Sequence, residues 1–259
     1  MTDAAQIFET ELEILGTEAE SAAQFVYAYG AIHEVAEKNT EIVTLLNTAP
    51  LFWNTILGAL QMSAFIVLGR EFDDDKSSHG VARLLSLAMA NPQIFTRDAL
   101  AARKQSISPA KLDGFLSTTY ELLPSDLEIL QQKISENMAV YEAKYKPIRN
   151  KIYAHKDITR NATVDALFAE TNIVELQTLT LFLQSLYNAL CKLFHNGSKP
   201  VLHEHPHAIA DMISKPIPPG WQVPPHEQIA HQAAEVLLAA SGNLSVTDRY
   251  PSAPVRREP

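Results

Sequence analysis

Apolar residues recur at three- and four-residue spacings through most of the first two hundred positions, with few breakers between them. Side chains that far apart share one face of a helix. The pattern predicts helices over 3–15, 18–38, 51–71, 79–90, 97–120, 125–146, 148–157 and 172–195. The last is the clearest, because Ile173, Leu176, Leu179, Leu183, Leu186, Leu190 and Phe194 fall at helical spacing. Asn172 with Glu175 three residues on matches a capping box, and Gly197 supplies a stop. No alternating apolar–polar run bounded by turn residues occurs there, so the fold class reads as all-α. After that the pattern changes. Ten of the fifteen prolines lie at or after Pro200, and they forbid continuous helix until a last predicted helix, 226–240. The chain therefore divides into a helical body, 1–197, and a proline-rich extension, 198–259. We expect the extension to run over the body as a strap, with Trp221 as its anchor and Trp53 in the core.

One helix raises a membrane question. No charge occurs from Ile42 to Gly69, and Leu51–Gly69 alone is long enough to span a bilayer. Asn54, Thr55, Gln61 and Ser63 interrupt it, Pro50 precedes it, and the REFDDDK that follows is mostly acidic. A helix apolar on all sides is equally the buried centre of a bundle, and that is the expectation here. A membrane-associated helical protein is the alternative.

Composition narrows the function classes. With 259 residues, 46% hydrophobic and 20% charged, the chain can bury a sizeable core. Twenty-one Lys and Arg against thirty acidic residues give −9, which excludes a general basic coat; any nucleic-acid contact is a local patch. Cys191 is the single cysteine, so there is no internal disulfide and no cysteine-rich zinc site. The acidic, amphipathic start MTDAAQIFETELEIL is unlike a signal or transit peptide, and the expected location is cytoplasmic.

The charge is segregated. Residues 144–160, KYKPIRNKIYAHKDITR, hold Lys144, Lys146, Arg149, Lys151, Lys156 and Arg160 against the single acid Asp157. The first forty-one residues hold nine acids and one lysine. So dense a cationic island calls for a solvated face or an anionic partner. Inside it, Arg149-Asn150 is followed by His155, six positions after the arginine. On a regular helix the pair would be about 120° apart and about 9 Å along the axis. A joint site needs a long arginine reach, an irregular turn, or a second copy of the motif. Pro147 helps, since it bends or restarts the helix just upstream. The residues alone equally allow surface contacts for Arg149 and Asn150 and a C-terminal cap for His155.

The run IRNKIYAHKD resembles the Arg-polar-(x)n-His motif of the HEPN ribonucleases, and its neighbours resemble the abortive-infection AbiU-type subgroup. Upstream, FWNTILGALQMSAFIVLGREFDDDKSSHGVARLL is similar to that subgroup's early helix, and the Phe-His-Asn-Gly ending near 197 also fits. The resemblance covers roughly 20–200. It implies a helical bundle that cleaves RNA without metal or cofactor, usually as a homodimer with two motifs at one cleft. By resemblance Arg149 and His155 are catalytic, and Asn150 orients the histidine or the phosphate. Lys146, Lys151, Lys156 and Tyr153 lie on the RNA side, and Asp73 supports the motif by pairing with a basic side chain. Such proteins act in phage defence or as toxins, with an antitoxin or defence-system partner. The chemistry suits the residues: histidine moves protons near neutral pH, and arginine binds phosphate and stabilises the pentavalent transition state. A non-catalytic HEPN module binding RNA or a partner protein is the second reading.

Other groupings are weaker. Asp73, Asp74 and Asp75 with Glu71 suggest a hard-cation site, but three consecutive carboxylates diverge, and one of them is expected to cap a helix starting near Ser77. Six of the nine histidines fall between His195 and His231, without a recognisable zinc spacing.

Overall fold

A computed structural model describes residues 3–75, 77–106, 108–150, 171–203, 208–218 and 220–242. Asp3–Lys38 is one unbroken helix, α1, where the pattern predicted two. Gly16 falls in the predicted gap yet is helical, and a Cβ there would lie 2.6 Å from the Tyr187 ring. It is a point of close helix approach, kept at a propensity cost of roughly 0.5–1 kcal/mol relative to alanine. A helix absent from the prediction, α2 (Thr40–Thr48), follows, with the Asn39 side chain accepting the Glu41 N–H at 3.0 Å. Then come α3 (Pro50–Glu71), with proline in its first turn, and α4 (Val81–Ala90). The predicted 97–120 helix is two, α5 (Arg97–Arg103) and α6 (Pro109–Ser117), because Pro109 cannot continue a ladder.

Next are α7 (Pro124–Val140) and α8 (Ile173–Asn196). The Asn172 side chain accepts the Val174 N–H at 2.8 Å, and Gly197 ends α8 in the left-handed region at φ +61°. A Cβ on Gly197 would also strike Thr119. Two further helices, α9 (Ile209–Ile213) and α10 (Pro225–Gly242), lie in the extension. Among the described residues no strand occurs, and the fold is all-α.

The long α1 is the axis on which α3, α8 and α10 pack. The main core joins Phe8, Leu12, Leu15 and Val26 of α1 to Phe65 and Leu68 of α3 and to Leu179, Leu183, Leu186 and Leu190 of α8. A smaller cluster of Ile32, Val35, Ile42, Ala234 and Leu237 has Trp53 packed against it, partly buried and not within the core.

Two expectations are corrected. α3 is not buried throughout: Ala64, Phe65, Val67 and Leu68 near its C-terminal end are enclosed, while Leu51 is 82% exposed and Phe52 is exposed beside it. One side of this all-round apolar helix meets the bundle and the other faces outward. Among the described residues it is the helix long and apolar enough to cross a membrane, with 22% of its most apolar window buried. Trp221 is no anchor, being 71% exposed. The extension is fastened by α10, whose His226, Ala230, Ala234 and Leu237 are buried. The His226 N–H donates to Glu20 at 2.8 Å, and its ring Nδ1 lies 3.0 Å from Glu20 and 2.9 Å from Gln184 Nε2.

Candidate functional site

The site begins where α7 stops being an α-helix. From Tyr141 to Tyr145 the chain is π-wound, and the Lys146 N–H reaches back five residues to the Tyr141 carbonyl. Lys146–Ile148 is a single α turn, and residues 149–150 are π-wound again. Pro147 has no N–H to give the ladder, so regular i→i−4 bonding cannot pass through it. Such turns concentrate at functional sites. An irregular turn is thus present at Arg149, while His155 lies outside the described residues.

An aromatic column holds this winding. Tyr141 and Tyr145 are fully buried, with near-parallel rings 6.4 Å apart. Phe72 stacks on Tyr141 at 5.6 Å and on Phe182 at 6.3 Å, while Phe65 tilts against Tyr145 at 5.6 Å. The Tyr145 hydroxyl donates to Glu175 Oε2 at 2.8 Å, and Lys144 Nζ to Oε1 at 2.7 Å. Glu175, expected to complete the capping box, instead fastens the π-segment to α8. Burial, together with that carboxylate, raises the Tyr145 hydroxyl well above the usual phenol range.

Arg149 is half-buried, and its side chain passes over Gly69 of α3. A Cβ on Gly69 would lie 2.5 Å from Arg149 Cδ, 2.8 Å from its Nε and 2.6 Å from the Tyr141 hydroxyl. The absent side chain at Gly69 thus makes the room in which the guanidinium meets Tyr141. That hydroxyl is buried, and among the described residues it makes no hydrogen bond of good geometry. Burial pushes it up to about 12; the Arg149 charge opposes this and Asp73 adds to it. Tyr141 stays a neutral phenol.

Asp73 follows α3 directly, and its carboxylate accepts the Asp75 N–H at 3.1 Å. Lys146 donates to Glu142 at 2.8 Å, and that bond, with smaller contributions from Asp74 and Asp73, holds its ammonium above the ordinary range. Asp73 therefore lies within electrostatic reach of both Lys146 and Tyr141. Asp75 caps no helix: its carboxylate accepts the Ser77 N–H at 2.8 Å in a local turn, and α4 starts later, at Val81.

Four predicted residues, Arg149, Asn150, Lys146 and Asp73, fall in this region. Lys151, Tyr153, His155 and Lys156, with most of the predicted 148–157 helix, lie outside the described residues. Sequence reasoning missed Gly69, Tyr141, Tyr145 and the role of Glu175. The signals available were the Tyr pair four apart in YEAKY and a glycine inside an uncharged apolar run. Among the described residues no three His, Cys, Asp or Glu side chains converge as metal ligands. Of the histidine cluster, His195 lies 3.8 Å from Glu9 and His226 and His231 are buried on α10, while His205 and His207 lie outside the described residues.

The family model HEPN_AbiU2, described as AbiU2, matches residues 5–211, well over half of the chain. The chain belongs to the AbiU2 family of HEPN proteins. The match takes in α1, α3, α7, the π-wound segment and α8, and so every described residue around Arg149. It also runs past Gly197 into the extension, to the middle of α9. No curated protein and no solved structure matches the chain. An abortive-infection-related HEPN domain is what membership suggests.

Proposed function

We propose that this AbiU2-family protein is a metal-independent endoribonuclease acting in phage defence or as a toxin. One observation carries the reading. Arg149, which opens the Arg-Asn-x4-His run, stands on a π-wound turn fixed by Tyr141, Tyr145 and the gap at Gly69, within the HEPN match. In the reaction, the ribose 2′-oxygen attacks the adjacent phosphorus as its proton passes to His155. The P–O5′ bond breaks, and the leaving 5′-oxygen takes up a proton. Arg149 binds the phosphate through paired N–H groups and stabilises the charge of the transition state. Asn150 orients the histidine or phosphate, Lys146, Lys151 and Lys156 attract the RNA backbone, and Tyr153 lines the substrate side. The products carry 2′,3′-cyclic phosphate and 5′-hydroxyl ends. The protein works in the cytoplasm as a homodimer with two motifs at one cleft, held in check by an antitoxin or defence partner. The outward apolar side of α3 supports such pairing.

Purified protein incubated with total RNA in EDTA tests this. His155→Ala and Arg149→Ala should each slow cleavage about a hundredfold or more, and the double variant should be little worse than the poorer single. EDTA-sensitive cleavage, or full activity in folded His155→Ala, overturns the assignment. A second reading, a non-catalytic HEPN module that binds RNA or a partner protein, is favoured by the way Arg149 turns onto Tyr141 and Lys144 and Lys146 onto carboxylates. Turnover decides: an enzyme cleaves RNA in excess over itself, whereas a binder only shifts its mobility.

A further inference from the structure

None of the residues Tyr141–Asn150 lines a cavity of about 490 Å³ that lies between α1, Gln61 of α3, the start of α8 and α9. Its volume is in the range of small-molecule sites. Ile173, Leu176 and Ile209 give it an apolar wall, and the Tyr29 and His33 rings, 4.4 Å apart, give it an aromatic one. Gly30 lets α9 close over α1, since a Cβ there would collide with Ile209 Cδ1. Into this wall is set Gln177, 4% exposed, whose Nε2 has no hydrogen-bond partner among the described residues. A buried amide donor without an acceptor is costly, and a cavity beside it is where an acceptor belongs.

Charge at the mouth narrows what can enter. Glu34 and Glu37 line the cavity, and among the described lining residues there is no lysine or arginine. Lys38 pairs with Glu34, which leaves the Glu37 carboxylate to repel an anion. Burial lowers the pKa of the His33 ring, which favours the neutral imidazole among the described lining residues.

We propose that this cavity binds an uncharged purine nucleoside or base, with Gln177 Nε2 donating to the purine edge, and that it excludes the phosphorylated forms. A purine fits each part of the wall. Its faces are flat and apolar enough for Tyr29, His33 and Ile173. Its N7, and O6 in guanine, are acceptors for an amide N–H. Among the described residues a 5′-phosphate would meet Glu37, and the nearby Lys38 is already engaged by Glu34.

Calorimetric titration of the full chain with adenosine, guanosine and AMP tests the proposal without reference to cleavage. At least one nucleoside should bind at micromolar concentration, and AMP should bind at least tenfold more weakly than adenosine. Gln177→Met, which keeps the volume and loses the donor, should weaken the nucleoside at least tenfold, with folding checked by circular dichroism. Should Gln177→Met fail to fold, Glu37→Lys carries the test: it should bring AMP to within a few-fold of adenosine. Absence of binding by both nucleosides at millimolar concentration overturns the proposal. So does equal binding of adenosine and AMP by the wild type, unchanged affinity in folded Gln177→Met, or an AMP affinity unmoved by Glu37→Lys.

Discussion

Replacing Gly69 with alanine places one methyl group where Arg149 now runs, and the consequences can be worked from distances. The new Cβ would lie 2.5 Å from Arg149 Cδ and 2.6 Å from the Tyr141 hydroxyl. Non-bonded carbons rest at about 3.5–4.0 Å, so the arginine must retreat by about 1 Å, and its guanidinium with it. Two energies then compete. Removing a glycine from a helix interior contributes roughly 0.5–1 kcal/mol, whereas forcing a methyl into packed surroundings costs roughly 1–3 kcal/mol. Gly58, on the same helix, has nothing within 4 Å of its hypothetical Cβ, so Gly58→Ala keeps only the gain. The two variants should differ by the packing cost, roughly 2–10 °C in melting temperature by circular dichroism. In the cleavage assay a displacement of about 1 Å should cost Gly69→Ala about a hundredfold, with Gly58→Ala unaffected. If Gly69→Ala melts with Gly58→Ala and cleaves RNA at the wild-type rate, Arg149 is not held at Gly69 and the site geometry is wrong.

Three further outcomes follow from other contacts. Glu175→Ala removes the nearer acceptor of the buried Tyr145 hydroxyl, leaving it the Asn172 carbonyl at 3.3 Å, and should cost about 1–2 kcal/mol in urea unfolding, whereas Lys144→Met, which removes only a partly exposed ion pair, should cost under about 1 kcal/mol. Burial alone would raise the Glu20 carboxyl, but the His226 hydrogen bond and charge outweigh it and hold the pKa below the usual value. The stabilisation is therefore present above the unfolded carboxyl pKa and lost as pH falls through the folded one, so wild type should lose melting temperature more steeply than Glu20→Gln between pH 5 and 3. Burial, with Glu18 nearby, pushes the Glu71 carboxyl up to about 8, and its Oε2 is unpartnered among the described residues. Stability tied to its protonated form is full below the unfolded carboxyl pKa and lost as pH rises through about 8, so Glu71→Gln should flatten melting temperature against pH between 5 and 8 and gain a few kcal/mol at the upper end, at about 1.4 kcal/mol per pH unit.

What was legible in the sequence was what local chemistry decides. Periodicity gave the helical body, Asn172 gave the start of α8, and Gly197 gave its end, because each acts on backbone groups within a few residues of itself. What was not legible depended on partners distant in sequence. Gly16 looked like a break and is a contact with Tyr187; Trp221 looked like an anchor and is exposed. Glu175 has the spacing of a capping box, yet a stronger offer from Lys144 and Tyr145, thirty residues upstream, redirects it. The same holds at the site. Arg149-Asn150 could be picked out by pattern, but the π-winding and the part played by Gly69 depend on α3 and the π-wound segment being packed together.

That packing bears on which charge remains available to a phosphate. Within the basic island Lys144 already faces Glu175, and Lys146 faces Glu142. Both pairs are partly exposed, so each is worth at most about 1 kcal/mol and yields readily to a phosphodiester. Toward an RNA backbone they would add attraction at long range without fixing a position. Arg149 differs in kind. Among the described residues, the group beside its guanidinium at Gly69 is a phenol that burial keeps neutral, and close contact with a neutral hydroxyl orients the side chain without cancelling its charge. A carboxylate in the place of Tyr141 would hold the arginine as well but compete with the phosphate at every encounter. Orientation by a neutral partner is what a phosphate-binding arginine requires, and Tyr141→Phe, which removes the hydroxyl and keeps the ring stack, separates the two contributions. The fold should persist, and cleavage should fall through loss of Arg149 alignment while the salt dependence of RNA binding stays as it was.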